Sequence, residues 1–205
     1  MSQQLSAVHV IDDDAQLCAG IDSLLRSVGL ACHSYPGPDA FLAASLPQVA
    51  SCLLLDVRLR GESGLDFQTR LERLGIGLPV IVMTGHADVP MSVRAMKAGA
   101  VDFLTKPFRD QDLLDAVSAA IARDRLRREA AAEHTALTAR FDALSERERQ
   151  VMELVTAGLL NKQAAHRLGL SEITVKLYRA SAMKKMEART LADLVRMAGR
   201  LGIGD

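Results

Sequence analysis

Five polar side chains in the first half of the chain stand where short apolar runs end. They are Asp12, Asp13, Asp56, Thr84 and Lys106. The clearest of these runs is Cys52–Leu55, four apolar residues that stop at the Asp56 carboxylate. Such a run, bounded by turn signals, is typical of a strand buried on both faces of a parallel sheet, and sheets of this kind carry their chemistry at the carboxyl ends of the strands. The spacing therefore predicts one pocket that gathers all five side chains.

The three carboxylates of this set limit what the pocket can do. Carboxylates held close together repel one another, and the cost is tolerable only when a cation or protons share the site. The aspartates offer oxygen donors alone, which suits Mg²⁺ rather than zinc or copper. We therefore expect the pocket to bind Mg²⁺. The next aspartate, Asp14, is expected to cap the following helix and not to bind the metal.

The elements that must position these residues alternate between strand and helix patterns. Strand patterns cover residues 7–12, 31–35, 52–55, 79–84 and 101–105. Helical spacing of apolar residues separates them, as at residues 65–74, where Phe67, Leu71 and Leu74 are predicted to face inward. Five alternating strand–helix units predict an α/β fold with a doubly wound, five-stranded parallel sheet.

The second half of the chain has a different pattern. Residues 113–139 contain no Pro or Gly and are rich in Ala, Arg and Glu, which predicts one long charged helix. After it, Ser145 and Glu148 form a capping box, and Gly169 makes the tight turn of a helix-turn-helix. Thr190 caps a further helix. The pattern predicts a helical linker followed by an all-α domain of four helices.

Composition and charge suggest two partners for the two halves. The chain has 205 residues, of which 49% are hydrophobic and 24% charged, as in ordinary globular proteins. Residues 1–120 carry nine Lys and Arg against fourteen Asp and Glu, whereas residues 121–205 carry sixteen against eleven. The basic half makes nucleic acid a candidate partner. Three cysteines without metal-ligand spacing, no signal-peptide pattern and no bilayer-spanning stretch predict a cytoplasmic protein without membrane contact.

Longer motifs carry a family resemblance. The chain resembles the two-component response regulators of the FixJ family in DDD at 12–14, DVRLRGESG at 56–64, MTGHADVPMSVRAMKAGAVDFLTKPF at 83–108 and LSERERQVMELVTAGLLNKQAAHRLGLSEITVKLYR at 144–179. The similarity covers nearly the whole chain. It implies a flavodoxin-like receiver domain at residues 1–122 with strand order 2-1-3-4-5, a helical linker at 123–142 and a LuxR-type helix-turn-helix DNA-binding domain at 143–205.

The resemblance also implies roles for the residues of the pocket. Asp56 is the nucleophile that accepts a phosphoryl group from a histidine kinase. Lys106 gives positive charge to the phosphoryl oxygens, and the Thr84 hydroxyl donates a hydrogen bond to one of them. Thr84 and Phe103 together form the switch that responds to phosphorylation. The peptide bond before Pro107 is usually cis in the family.

For the metal, the resemblance implies side-chain ligands and one backbone ligand. Asp13 and Asp56 bind Mg²⁺ directly. The backbone carbonyl of Arg58 is a third ligand, and Asp12 helps through water. The chain departs from the family pattern at Arg60, where most relatives have proline. This difference places a cation near the site and removes no catalytic group.

The third helix of the predicted four-helix domain is expected to read DNA with its outward face. Helical spacing places on the inward face Val175, Tyr178, Ala182 and Met186. The predicted DNA-binding residues are Lys162, Thr174, Lys176, Leu177, Arg179, Ala180 and Lys184. Lys176 is the candidate for direct base reading, because lysine can donate to guanine. Leu177 and Ala180 could contact a thymine methyl group. The remaining residues, together with Lys185, are assigned to phosphates.

These patterns together predict a transcription factor whose DNA binding is controlled by phosphorylation of Asp56. The expected partners are a sensor histidine kinase, promoter DNA and a second copy of the chain after phosphorylation, with RNA polymerase as a further candidate. No enzymatic activity is expected beyond its own phosphoryl transfer and dephosphorylation. Two alternatives stay open: a constitutive DNA-binding regulator whose receiver only dimerises, and an aspartyl phosphotransferase. The second needs either a substrate-capping insertion or an acid–base Asp two residues after Asp56. The connections in this chain are short, and that position is Arg58.

Overall fold

The computed structural model describes residues 6–86 and 88–203. Its first part contains a five-stranded sheet of parallel strands in the order β2-β1-β3-β4-β5. The strands are β1 (Ala7–Ile11), β2 (Ala31–Tyr35), β3 (Ser51–Asp56), β4 (Val80–Thr84) and β5 (Asp102–Thr105). The strand order implied by the resemblance is confirmed, and the strand boundaries agree with the predicted ones to within one residue.

Helices cover both faces of this sheet. They are α1 (Ala15–Ser27), α2 (Pro38–Leu42), α3 (Gly64–Arg73), α4 (Val89–Lys97) and the first part of α5 (Asp110–Asp142). One hydrophobic cluster joins α1 and α5 to one face of the sheet, with Leu25 and Val117 among its members. A second cluster joins α3 and α4 to the other face through Phe67 and Ala95. The predicted doubly wound α/β fold is therefore confirmed.

Strand β3 lies at the centre of the sheet, between β1 and β4. All six of its residues are buried, as expected for a strand that is covered on both faces. Leu54 belongs to the cluster with α1 and α5, whereas Leu53 and Leu55 belong to the cluster with α3 and α4. The strand has a polar residue at each end, Ser51 at the amino edge of the sheet and Asp56 at the carboxyl edge.

One inward position predicted for α3 is wrong. Phe67 and Leu71 are buried as predicted, but Leu74 is 54% exposed. The helix ends at Arg73, and Leu74 is its C-cap. Gly75 then takes a positive φ of 70°, which turns the chain away from the helix axis. Leu74 therefore leaves the helical spacing before its side chain can reach the core.

The remaining described part of the chain is helical. After α5 come α6 (Glu146–Thr156), α7 (Asn161–Leu168), α8 (Glu172–Lys185) and α9 (Leu191–Arg200). The Ser145–Glu148 capping box is present, Gly169 ends α7 with a positive φ of 66°, and Thr190 caps α9. The four helices share one hydrophobic core. The predicted four-helix arrangement after a long helix is confirmed.

The chain divides into two compact units, Met1–Arg128 and Glu129–Asp205, and the boundary falls inside α5. The finer division predicted from the sequence, with a linker at 123–142, stays a prediction. Cys18, Cys32 and Cys52 are free thiols. Across the two described ranges, no helix combines the length and apolar character needed to cross a membrane.

Candidate functional site

The carboxyl edge of the sheet brings together residues from four strand ends. Asp12 follows β1, Asp56 is the last residue of β3, and Lys106 follows β5. Thr84 is the last residue of β4 and pairs with Thr105 of β5. Because the strands run parallel, their carboxyl ends lie at the same edge of the sheet. The peptide bond between Lys106 and the next residue, a proline, is cis, as the resemblance implied.

The Lys106 ammonium joins two of the carboxylates. Its Nζ lies 2.6 Å from Asp12 Oδ2 and 2.6 Å from Asp56 Oδ1. Both aspartates are buried. Burial alone would lower the pKa of Lys106, but its hydrogen bonds to Asp12 and Asp56 outweigh this effect and raise the pKa above its ordinary value. Lys106 therefore stays charged at neutral pH, and one cation is shared by two carboxylates.

Asp13 lies at the rim of this pocket and faces a different cation. Its Oδ2 accepts a hydrogen bond from Arg60 Nε at 3.0 Å. The Arg60 side chain is 88% exposed and that of Asp13 is 33% exposed, so water reaches this pair. The sequence placed Arg60 near the site but did not identify its partner. The structure thus joins Asp12, Asp56 and Lys106, and sets Asp13 beside Arg60.

The loop between β3 and α3 fixes the Asp56 carboxylate. The backbone N–H of Arg58 donates to Asp56 Oδ2 at 2.8 Å. The loop returns at Gly64, whose N–H donates to the backbone oxygen of Val57 at 2.9 Å. A Cβ on Gly64 would lie 2.0 Å from the backbone oxygen of Asp56, well inside van der Waals contact. The last glycine of the DVRLRGESG motif is therefore a steric requirement of the turn that carries Asp56.

Asp14 has the structural role that the sequence predicted. Its Oδ1 accepts hydrogen bonds from the backbone N–H groups of Gln16 and Leu17, at 2.9 and 3.1 Å, and so caps α1. Its own N–H donates to Asp12 Oδ1 at 2.9 Å. The N-terminus of α1 thus helps to hold the Asp12 carboxylate in the pocket.

The oxygen donors of the pocket fit Mg²⁺ in kind, because this ion prefers carboxylate and carbonyl oxygens. Among the residues that the structure describes, however, no three His, Cys, Asp or Glu side chains are arranged to hold a metal ion. Side-chain cations already contact one oxygen of each carboxylate: Lys106 lies between Asp12 and Asp56, and Arg60 contacts Asp13. A metal ion would have to compete with these two side chains.

Thr84 and Phe103, the expected switch pair, differ in burial. Thr84 is fully buried, and its hydroxyl donates to the backbone oxygen of His86 at 3.2 Å. Phe103 of β5 lies opposite Val82 of β4 and is half-buried beside the cluster that contains α3 and α4. The Thr84 hydroxyl is therefore bonded within its own turn. Movement of this hydroxyl toward Asp56 would require it to leave His86.

Helix α8 has two faces, as its spacing predicted. The inward face consists of Val175, Tyr178, Ala182 and Met186, of which all but Tyr178 are fully buried. The exposed face carries Ile173, Lys176, Leu177, Ala180 and Lys184. Ile173 and Leu177 are 72% and 67% exposed, although both are large apolar residues. Exposed apolar side chains among lysines are suited to a contact surface.

The other predicted DNA-binding residues are Lys162 on α7 and Thr174 and Arg179 on α8. Lys162 is exposed on α7. The Thr174 hydroxyl lies 2.7 Å from that of Ser171, the N-cap of α8. Arg179 donates to Asn161 Oδ1 at 3.3 Å. These contacts hold Thr174 and Arg179 in place within the second unit.

Glu148 has contacts that the sequence did not reveal. Besides its place in the capping box, its carboxylate accepts hydrogen bonds from Ser181 Oγ at 2.6 Å and Lys185 Nζ at 2.7 Å. Burial alone would raise the pKa of Glu148, but the bonds from Lys185, Ser181 and Ser145 outweigh it and lower the pKa to about 2. The capping box was the only local signal. The contact with α8 depends on helix packing.

Comparison with known proteins agrees with this geometry. The family model for the response regulator receiver domain matches residues 8–118, and the model for bacterial regulatory proteins of the luxR family matches residues 142–198. Nodulation protein W of Bradyrhizobium diazoefficiens is 57% identical over 196 residues, which cover 96% of this chain and 86% of the relative. The transcriptional regulatory protein FixJ of Azorhizobium caulinodans is 45% identical, over 96% of this chain and 93% of the relative.

Solved structures show the same similarity. The response regulator StyR matches with a TM-score of 0.85 and 41% identity, over 96% of this chain and 99% of that chain. Full-length FixJ from B. japonicum matches with a TM-score of 0.55 and 39% identity, over 97% and 98% of the two chains. Since both family models match in order and the relatives extend over nearly the whole chain, this protein belongs to the FixJ-like response regulators, two-component transcription regulators that join a receiver domain to a LuxR-type helix-turn-helix.

Proposed function

We propose that this chain controls promoter binding through phosphorylation of Asp56 by a sensor histidine kinase. The observation that carries the proposal is the shared position of Lys106, 2.6 Å from both Asp12 and Asp56. Two buried carboxylates against one lysine leave a net negative charge inside the pocket. Such an excess destabilises a purely structural ion pair, but it suits a site that binds a metal cation.

Asp56 is the phosphoryl acceptor in this proposal. One of its carboxylate oxygens attacks the phosphorus of a phosphohistidine, the P–N bond breaks, and the imidazole leaves. Lys106 already contacts Asp56, and it supplies positive charge for the phosphoryl oxygens without changing its protonation state. The chain performs this transfer on itself, water then hydrolyses the acyl phosphate on Asp56 to the free carboxylate and inorganic phosphate, and the chain acts on no other substrate.

Mg²⁺ is the cofactor that we assign to the pocket. The residues that would hold it are Asp12, Asp13, Asp56 and the backbone carbonyl of Arg58. When bound, the ion shields the anionic carboxylate from the anionic phosphoryl donor. The donor set supports this assignment because it consists of oxygen atoms alone.

The signal passes through Thr84 and Phe103. A phosphoryl group on Asp56 would draw the Thr84 hydroxyl away from His86, and the Phe103 ring would turn inward behind it. Phe103 lies on β5 next to α4, whose Val89 and Met96 are 75% and 49% exposed. Such apolar surface favours burial against a second copy, so we assign homodimer formation to the phosphorylated state.

A dimer would present two α8 helices to two half-sites of promoter DNA, which raises affinity without new contacts in either copy. In each copy Lys176 reads a base, and Leu177 and Ala180 contact thymine methyl groups. The phosphate contacts come from Lys162, Thr174, Arg179 and Lys184. The bound dimer then acts on transcription in the cytoplasm, with RNA polymerase as the partner to be tested.

Labelling by acetyl phosphate in Mg²⁺ tests the central claim. Intact-mass measurement should find one added phosphoryl group on the wild-type chain and none on Asp56→Asn. Asp39→Asn is the matched control, because its side chain is fully exposed, and it should label normally. Labelling of Asp56→Asn at the wild-type rate would refute the site. DNA affinity that does not respond to phosphorylation would favour the constitutive alternative, and repeated turnover of small phosphate esters would favour the enzyme.

Two lysine variants test the DNA-reading assignment. Lys176→Ala should relax preference at one base position, with a loss of roughly 1–3 kcal/mol on the preferred sequence. Lys184→Ala, the matched control on the same helix, should weaken all sequences alike and reduce the salt slope by about one unit. A binding-site selection distinguishes the loss of base preference from the uniform loss of affinity. Unchanged base preference with Lys176→Ala would remove this residue from direct reading.

Sedimentation with and without beryllofluoride, a phosphoryl mimic, tests the dimer. We expect a monomer alone and a dimer with the mimic. An unchanged mass combined with tighter DNA binding would mean that phosphorylation acts within one copy of the chain.

A further inference from the structure

The loop after β3 brings a second cation to the acidic pocket. Lys106 is occupied by Asp12 and Asp56, so the negative charge of Asp13 is met by Arg60 at 3.0 Å. Each of the three carboxylates thus already contacts a positively charged side chain. The two cations differ in their surroundings, because Lys106 is 21% exposed and Arg60 is 88% exposed.

We infer that Arg60 is a built-in competitor of the divalent cation at Asp13, an inference that rests on the function proposed above. Two cations on one carboxylate repel each other, so a metal ion that binds Asp13 displaces the guanidinium. Arg60 therefore lowers the affinity of the pocket for Mg²⁺. Its release also moves a positive charge away from Asp13 at the moment when the metal enters.

The loop is held by contacts that do not involve the Arg60 side chain. Arg58 and Ser63 form an isolated antiparallel bridge, and Gly61 adopts a positive φ of 91° that favours glycine. The Arg58 N–H holds Asp56 from the same loop. Removal of the Arg60 side chain should therefore leave the turn in place, and its effect on metal binding can be measured without unfolding the site.

The exposure of Arg60 limits the size of the effect. Ion pairs between solvent-exposed side chains are weak, which corresponds here to Mg²⁺ binding about 2–5-fold tighter in Arg60→Ala. Salt should reduce the difference, because the screening length falls to about 3 Å near 1 M ionic strength. Arg60→Lys keeps the charge but loses the Nε donor, so its Mg²⁺ affinity should lie between those of the wild type and Arg60→Ala.

An NMR titration of the full chain with Mg²⁺, in the absence of any phosphodonor, tests the inference. The backbone amides of Asp13 and Val57 report the affinity, and the Arg60 Nε–H signal reports whether the guanidinium leaves as the metal binds. Arg200→Ala is the matched control. Arg200 forms an ion pair with Glu133 at 3.1 Å, with side chains 51% and 67% exposed, and both residues belong to the second unit. We expect tighter Mg²⁺ binding in Arg60→Ala and unchanged binding in the control. In the wild type, the Arg60 signal should change with the same midpoint as the amides.

Unchanged or weaker Mg²⁺ binding in Arg60→Ala would overturn the inference, as would an Arg60 Nε–H signal that does not respond to the metal. Normal labelling of Asp56 alongside such a result would leave the proposed function standing. Labelling that survives in Asp56→Asn would instead overturn the proposed function, whatever Arg60 does.

Discussion

The two ends of β3 each carry a buried aspartate network, and the two networks are balanced in opposite ways. At the amino end, Asp124 of α5 accepts a hydrogen bond from the backbone N–H of Ser51 at 2.9 Å. At the carboxyl end, Asp56 accepts from the N–H of Arg58 at 2.8 Å and from Lys106 at 2.6 Å. The six-residue strand β3 therefore lies between two buried aspartates. The charge of Asp124 at its amino end is fully neutralised, and the charge of Asp56 at its carboxyl end is not.

The amino-end network has more positive than negative charge. Asp124 is fully buried and forms ion pairs with Arg127 and Arg128, both at 2.7 Å. Burial alone would raise the pKa of Asp124, but the bonds from Arg128, Ser51 and Arg127 outweigh it and lower the pKa. The two arginines are partly exposed, so their remaining donors can reach water. This network has the features of a structural anchor for α5.

The carboxyl-end network has more negative than positive charge, since Asp12 and Asp56 share Lys106 alone. Burial is similar at both ends, so it does not distinguish a structural aspartate network from a functional one here. The ratio of carboxylates to cations distinguishes the two networks. We infer that an aspartate with a surplus of cationic partners anchors the fold, whereas aspartates that share too few cations are available to a ligand.

The largest expected effect is the loss of the amino-end anchor in Asp124→Asn. Asparagine has no negative charge to pair with two arginines, and its NH2 group would point a hydrogen-bond donor toward them. The first unit should therefore lose about 3 kcal/mol of unfolding free energy. Urea unfolding of the full chain measures this loss, and exchange of the Ser51 amide proton locates it. Asp115→Asn, an exposed position on the same helix, is the control. A loss that is no larger than in this control would mean that Asp124 does not anchor the fold.

The second unit contains another buried carboxylate that is bonded to a cation, Glu148. Glu148→Gln should cost about 2 kcal/mol at neutral pH, because the bond from Lys185 loses its charge. The pKa of Glu148 falls from 4.5 to about 2 on folding, so its contribution is present above pH 4.5 and is lost as the pH falls toward 2. Thermal unfolding at a series of pH values should show the wild type and Glu148→Gln converging over this range. Glu146→Gln, an exposed neighbour, should follow the wild type throughout.

Local patterns in the sequence were enough to predict most of the fold. The run Cys52–Leu55 predicted β3, and caps such as Thr190 predicted where helices begin, because these signals lie within a few residues of the element they define. Helix α7 ends at Leu168, directly before Gly169, where the sequence predicted the tight turn. The meeting of Asp12, Asp56 and Lys106 followed from parallel strands that end at one edge of a sheet.

Contacts between distant segments could not be predicted in this way. Arg60 reaches Asp13 across 47 residues, and Asp124 reaches Ser51 across 73. Both contacts depend on how a loop or a helix is placed against the sheet, which no local spacing records. The sharing of Lys106 by two carboxylates is of the same kind. The sequence predicted that Asp12, Asp56 and Lys106 would meet at one edge of the sheet, and the pairing of charges among them required the structure.

The smallest expected effect on stability is that of Asp56→Asn, although this variant removes the proposed phosphoacceptor. Asparagine keeps an oxygen that can accept from the Arg58 N–H, and Lys106 keeps its bond to Asp12. The substitution also leaves one carboxylate for one lysine, so the relief of repulsion offsets the lost ion pair. The free energy of unfolding should stay within about 1 kcal/mol of the wild type.

Asp124→Asn is the matched reference for this measurement, since it makes the same chemical change at the other end of the same helix-covered sheet. Both variants are compared with the wild type by urea unfolding without metal. A loss of stability in Asp56→Asn as large as that in Asp124→Asn would mean that Asp56 is also an anchor and that charge balance does not separate the two ends. A neutral or stabilising effect, combined with the loss of labelling, would mean that the carboxyl end keeps its uncompensated charge for binding at the expense of stability.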